Sequence, residues 1–461
     1  MISYSSEKKS FIIETVNSTY VMTVAQKGYL AHTYYGQKIN TKDDVSYLTR
    51  QMEYGFSDNK VFREKLTLLD FLPQEMPTSG LGDFRESALA ITNQNGNNAV
   101  ELKYKSYKIV DNTIKIPELP CVFDCDNCKS ETLEILLEDE ILGVEVTLFY
   151  TVFENLDAII RSSKIYLKKG MPSVFIKKAF SLSFDMDNKN YDVITLHGSW
   201  ARERHIDRHS IHMGKQGVES IRGETSHQEH PFLAILDHNA DYNNGNVYGI
   251  NFIYSGNFEA TVQRNQFDSI RVLMGINDEC FSWKLNADQS FYTPQAVLTF
   301  SNSGLNRMSH TFHDLYRDHL IRSPYKKSMR PILINNWEAT YFNFNTQKLL
   351  EIAEEASKDG IEMLVMDDGW FSHRSFDDSS LGDWYVNEEK LPGGLNPLVE
   401  GVNKLGMKFG IWFEPEMISP NSDIYRAHPD YAIQISGREP GMGRQQLVMD
   451  ITRKEVEDDC E

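Results

Sequence analysis

Near residue 304 the hydrophobic pattern of this chain changes period, and that change divides it into two kinds of structure. Before it, apolar residues alternate: Val144, Val146, Leu148 and Tyr150 share one face of a half-buried strand. Segments 133–138 and 19–24 read the same way, and polar runs at 187–190 and 241–246 supply turn chemistry between strands. Many short strands separated by turns predict a large antiparallel sandwich over residues 1–303. Then Leu305, Met308, Phe312, Leu315 and His319 step by three and four, one stripe of a helix; Pro324 closes it and the basic stretch 326–330 follows. Residues 304–330 are therefore expected to be a helical linker.

From 331 onward strand and helix alternate. Segment 332–337 (ILINNW) reads as a buried strand. Asn345 is placed to cap a helix carrying Leu349, Leu350, Ile352 and Ala353, with Gly360 as its left-handed stop. A second strand, 363–366, ends in Asp367-Asp368-Gly369-Trp370. Asn396 is expected to cap the next helix, with Pro397 at its first position and Leu398, Val402 and Leu405 on one face, and Gly406 closes it. A third strand, 409–413, ends in Glu414-Pro415-Glu416, and 447–450 reads as a fourth or the start of one. Units of this kind without an intervening hairpin imply a parallel sheet. Residues 331–461 are thus expected to hold the first three or four units of an eight-stranded β/α (TIM) barrel, which in full takes about 250 residues.

Composition narrows the function. At 461 residues the chain has room for two to four domains of about 150 residues each. Its 47 basic and 66 acidic residues leave a formal charge of −19, which argues against a nucleic-acid groove or an anionic membrane face. No apolar run approaches the roughly 18 residues of a membrane span. The N-terminal MISYSSEKKSF has no basic-then-apolar leader, and five cysteines fit a reducing compartment, so a cytoplasmic location is expected.

Working groups in parallel β/α architectures lie at the carboxyl ends of strands. Here those ends read Asn-Trp-Glu, Asp-Asp-Gly-Trp and Trp-Phe-Glu-Pro-Glu. Tryptophan beside carboxylate suits a sugar: aromatic faces stack on C–H patches while carboxylates accept from hydroxyls. A single acid at a strand end means little; three successive ends with this pairing point to carbohydrate. The rival, a phosphate loop at Gly441-Met442-Gly443-Arg444, lacks a third glycine and precedes a strand instead of following one. On spacing, Asp367, Asp368, Glu414 and Glu416 are the candidate acids. Adjacent aspartates diverge, so Asp367 and Asp368 suit hydroxyl binding better than a catalytic dyad.

The segments RPILINNWEATYF, LVMDDGWF, SSLGDWYVNEEKLPGGL, LGMKFGIWFEPEMISPNSDIYRAHPD and RQQLVMD resemble the bacterial α-galactosidases (melibiases) of glycoside hydrolase family 36. So do LGDFRESA, GSWARERH, SHQEHPF, VYGINFIYSGNF and RVLMGIN, in family order from residue 81 to 277. The resemblance implies a β-supersandwich followed by a (β/α)₈ barrel. It also implies hydrolysis, with retention, of terminal α-galactosyl units of melibiose- and raffinose-type oligosaccharides, no metal or organic cofactor, and a tetramer. It makes Trp337 a wall of the galactose pocket and Asp367 and Asp368 the pair holding the 4- and 6-hydroxyls, with Trp412 and Arg444 as further pocket residues. Glu414 and Glu416 are expected to orient neighbours below the pocket. The family nucleophile lies in a Lys-Trp-Asp segment, which this sequence does not contain. The nucleophile and the acid/base are therefore expected to be absent, the chain to be a fragment, and hydrolysis to be lacking. An α-N-acetylgalactosaminidase or a galactosyl transferase of the same fold, or a non-catalytic carbohydrate-binding fragment, are the alternatives.

Two further groups are set aside. Cys121, Cys125 and Cys128 have a zinc-like spacing without a fourth ligand nearby in sequence, and read as a cysteine-rich loop. His205, His209, His212, His227 and His230 read as structural residues of the sandwich.

Overall fold

Alternation becomes pairing in the first unit, Met1–Lys326. The computed structural model describes residues 1–41, 45–49, 69–125 and 128–460. In Val144–Phe153 the alternating residues Val144, Val146, Leu148 and Tyr150 are buried, whereas Glu145 and Thr147 are half-buried. This strand lies inside a ten-stranded antiparallel sheet, beside a six-stranded and a four-stranded antiparallel sheet. Segment Ser18–Val24 departs from the expected half-buried pattern, since both of its faces are covered. Tyr20 and Met22 enter the main core, and Val21 packs with Ile12 and Val45 on the other side. The alternation there is of polar and apolar types, but burial follows the layers above and below.

Helix α1 (Gly304–His319) belongs to this first unit. Its stripe Met308, Phe312 and Leu315 packs against Val247, Ala234 and Val297 on one face of the ten-stranded sheet, each buried side chain contributing about 1.5–3 kcal/mol. Gly304 opens the helix at φ +74, where a Cβ would lie 2.6 Å from the backbone of Asp241, Asn243 and Asn244.

The second unit, Lys327–Glu461, is built on three parallel strands, Leu333–Asn335, Met363–Met366 and Lys408–Ile411, in that order. The first is not the buried strand its sequence suggests. Having a hydrogen-bonded neighbour on one side, it leaves Leu333 53% exposed. Helix α2 (Trp337–Thr340) is a single turn. Helix α3 (Thr346–Lys358) is capped by the Asn345 side chain on Lys348 N–H at 2.9 Å and stops at Gly360, φ +83. Helix α4 (Asn396–Lys404) starts one residue earlier than expected, with Asn396 inside it and no side-chain cap. Leu349 and Ala353 of α3 and Leu398 and Val402 of α4 pack with Leu364 and Met366 of the middle strand.

The expected fourth strand is of a different kind. Leu447–Val448 pairs antiparallel with Met417–Ile418 as a small ribbon, so three parallel strands are present among the described residues. A short helix, α5 (Asp423–Ala427), follows the first ribbon strand, and α6 (Lys454–Cys460) follows the second. Residues 367–395 contain no helix or strand, yet Trp370, Phe371, Leu381 and Leu391 bury this connection in the same core as the middle strand, α3 and α4.

Candidate functional site

The parallel register places three strand ends side by side, so the chain leaves the sheet at Asn335, Met366 and Ile411. Two asparagines knit the first end to the second. Fully buried Asn336 accepts Asp367 N–H on Oδ1 and donates from Nδ2 to Thr340, both at 2.7 Å. Asn335 accepts Trp337 N–H at 2.7 Å and donates to Asp367 Oδ2 at 2.6 Å. Trp337, half-buried, is held edge-on by Tyr341 and Phe342 at 5.2 and 5.0 Å.

At the second end the paired acids diverge, as adjacency predicts. Asp367 turns to Asn335 and remains half-buried. Asp368, 2% exposed, turns to Arg374, whose Nε and Nη2 donate to it at 3.0 and 2.8 Å. Arg374 is itself fully buried and donates to Ser379 O at 2.7 Å. Between the acids and this arginine, Gly369 sits at φ +102, where a Cβ would be 2.8 Å from the Phe342 ring. Lys390 ties the segment down by donating to the carbonyls of Gly369 and Arg374 at 2.8 and 2.9 Å. A carboxylate offers about four acceptor positions, so both aspartates retain capacity for hydroxyl donors beside these partners.

The third end continues the ladder through Trp412 N–H to Met366 O at 2.9 Å, leaving the Trp412 ring half-buried. Trp370 is 2% exposed and spends its indole N–H on Trp412 O at 3.0 Å. It is therefore a packing residue, whereas Trp337 and Trp412 keep half-buried rings and Phe413 is 50% exposed at these ends. Glu414 has an Oε2 that is buried without a hydrogen-bond partner among the described residues. Burial pushes its carboxyl above the usual range; Glu416 and Asp368 add to this, and Arg444 and Arg374 offset part of it. Glu416 is exposed. The ribbon Met417–Ile418 with Leu447–Val448 folds the chain back so that exposed Arg444 lies close enough to act on Glu414 electrostatically, with Arg444 and Gln445 in the left-handed region at φ 52 and 61.

Trp337, Asp367, Asp368 and Trp412 thus lie at neighbouring strand ends, and Arg444 is brought toward Glu414 from the ribbon. Sequence reasoning missed Arg374, Lys390, Asn335 and Asn336. The asparagines sit in a strand end already singled out, whereas nothing marks Arg374 in a polar loop.

Comparison with known proteins agrees with this architecture. Residues 28–286 match the glycosyl hydrolase family 36 N-terminal domain, and 290–460 match melibiase. Alpha-galactosidase AgaA of Geobacillus stearothermophilus is 44% identical over 455 residues, 99% of this chain and 62% of that protein. The crystal structure of the family 36 alpha-galactosidase AgaB from the same organism superposes with a TM-score of 0.96 at 44% identity, covering 100% of this chain and 63% of that one. An AgaA variant solved in complex with raffinose gives 0.95 at 43% identity, covering 98% and 63%. The chain therefore spans somewhat under two thirds of the length of these relatives. With the N-terminal model alone matching more than half of its residues, and the melibiase model following directly, this chain belongs to glycosyl hydrolase family 36.

Proposed function

We propose that the strand ends at 335–337, 366–370 and 411–414 form the galactose-binding part of an α-galactosidase that acts on raffinose- and melibiose-type oligosaccharides with retention. The observation that carries the reading is the divergent pair Asp367 and Asp368 at the middle strand end, with Trp337 and Trp412 at the ends on either side. Asp367 and Asp368 would accept from the 4- and 6-hydroxyls. A site built to receive an axial hydroxyl leaves a polar group unpaired when that hydroxyl is equatorial, which favours galactose over glucose. Trp337 and Trp412 would wall the ring and Arg444 would supply a further donor. The raffinose complex of the relative supports the substrate class.

Retaining hydrolysis needs two carboxyl groups about 5–5.5 Å apart, one as nucleophile and one as acid/base. The reading assigns neither to residues 1–461, which contain no Lys-Trp-Asp segment, and expects this polypeptide on its own to bind galactose without turnover. The reading includes a cytoplasmic setting, supported by the free cysteines Cys121, Cys125, Cys128 and Cys280. We also propose self-association, supported by exposed Trp200 and Ile206 in the hairpin of Tyr191–Ser199 and Arg202–Ser210; light scattering reports it.

The test is made on purified chain of confirmed mass, by calorimetry with galactose and 1-deoxygalactonojirimycin and by release of nitrophenol from 4-nitrophenyl α-galactopyranoside. Binding without release supports the whole reading. Release above a mock-purified control overturns the expected lack of turnover, and Asp367, Asp368, Glu414 and Glu416 are then replaced in turn. Absence of binding to either sugar overturns the pocket assignment.

A further inference from the structure

We infer that Cys125, Cys128 and His319 form a site for one zinc-class metal ion in the N-terminal unit. The two sulfurs and an imidazole nitrogen lie within 4.8 Å of one another, although the histidine is nearly two hundred residues away in sequence. The two cysteines are linked by Cys128 N–H donating to Cys125 O at 3.3 Å. His319 comes from the last turn of α1.

The histidine is held in the form a metal requires. Its Nδ1 faces the carbonyl of Phe123 at 3.1 Å, and a carbonyl accepts, so Nδ1 carries the proton and Nε2 presents its lone pair. Ring N–H to backbone carbonyl is the usual second contact of a metal-bound histidine. The ring is further fixed by stacking on Phe153, centroids 3.9 Å apart. The segment it faces is fixed as well: Phe123 N–H donates to His319 O at 2.9 Å and Arg322 donates to Cys121 O at 3.0 Å.

Tetrahedral zinc, with bonds of about 2.3 Å to sulfur and 2.0–2.1 Å to nitrogen, needs donors about 3.5–3.8 Å apart, so the group closes by about 1 Å on binding. Asp124 is already committed to Thr113 and Ser130, and is not a fourth ligand. Among the described residues the donors are therefore two thiolates and an imidazole, a three-donor set that leaves one position for solvent. Binding breaks two S–H bonds, forms two Zn–S bonds and releases two protons to solvent, so the ion and its ligands are neutral together. Soft thiolate with imidazole selects zinc over calcium or magnesium. A disulfide between the two cysteines would use neither the third donor nor its orientation.

The test uses the full chain, reduced, stripped with chelator, and titrated with Co²⁺ and then Zn²⁺. One equivalent of Co²⁺ should give thiolate charge-transfer absorption and intense tetrahedral visible bands, both abolished by one equivalent of Zn²⁺, and Zn²⁺ should raise the thermal midpoint. Cys128→Ser, a change at a half-exposed position that the fold tolerates, should weaken Zn²⁺ at least about a hundredfold. Cys280→Ser, at an exposed position outside the group, should change nothing. No saturable cobalt spectrum in the reduced protein, or the same spectrum in Cys128→Ser, overturns the proposal. So does a Cys125–Cys128 disulfide in the isolated protein with no metal uptake after reduction.

Discussion

The sandwich and the parallel sheet treat buried charge in different ways. In the first unit, fully buried Glu75 receives Tyr20 and His32 at 2.8 Å and Tyr150 at 2.5 Å, with Arg161 at 3.3 Å. Burial alone would raise its carboxyl; Arg161, His32 and Tyr150 outweigh that and hold it below the usual range. Asp83 and Asp185 share Arg85 and Arg271 in the same manner. In the second unit Asp368 has one such partner, Arg374; Asp367 is half-open; and Glu414 keeps a buried oxygen without one. Charge saturated with partners holds layers together, whereas charge left with spare acceptor capacity at strand ends is what a ligand can use.

The comparison breaks most visibly at Glu75. Glu75→Ala leaves Arg161 buried beside groups that no longer neutralise it, and should cost about 3–5 kcal/mol, read as a fall in the urea midpoint. Arg374→Met should cost about 3 kcal/mol by stranding Asp368, with the loss concentrated in faster hydrogen exchange over 367–395 and in lost sugar binding. Glu414→Gln sharpens the contrast by changing sign. A carboxyl raised in the folded state penalises folding as pH rises above the ordinary glutamate value. The variant should therefore be more stable than the parent at pH 7, with the difference vanishing below the ordinary glutamate range. The smallest effect on stability belongs to Asp367→Asn, within about 0.5 kcal/mol, although galactose affinity should fall at least about tenfold because a charged acceptor is lost.

Much of this architecture was legible because periodicity is local. The alternation at Val144–Phe153, the stripe of α1, the Asn345 cap and the Gly360 stop all follow from residues a few places apart. What escaped depends on remote partners. The exposure of Leu333 is set by which strands flank it, and the direction of Leu447–Val448 by its pairing with Met417–Ile418, about thirty residues away. Tryptophan beside acid falls at the strand ends, but the pattern did not separate Trp370, whose indole is consumed in packing, from half-buried Trp337 and Trp412. Arg374 and His319 were invisible for the same reason: each acquires its meaning from a group that only folding brings near.

The long connection 367–395 has a consequence for how this surface can be cut and how it can vary. Its interior is fixed by Trp370, Phe371, Leu381 and Leu391, and its far side by Asp383, which receives the backbone N–H groups of Asp423 and Ile424 at the start of α5. Among the described residues no such restraint holds the exposed run at 375–378, where Phe376 is 72% accessible. A protease meets exposed, cleavable chain there and finds shielded backbone on either side. Inserted residues would be tolerated at the same four positions, lengthening the rim beside the aspartates while leaving the aspartates where they are.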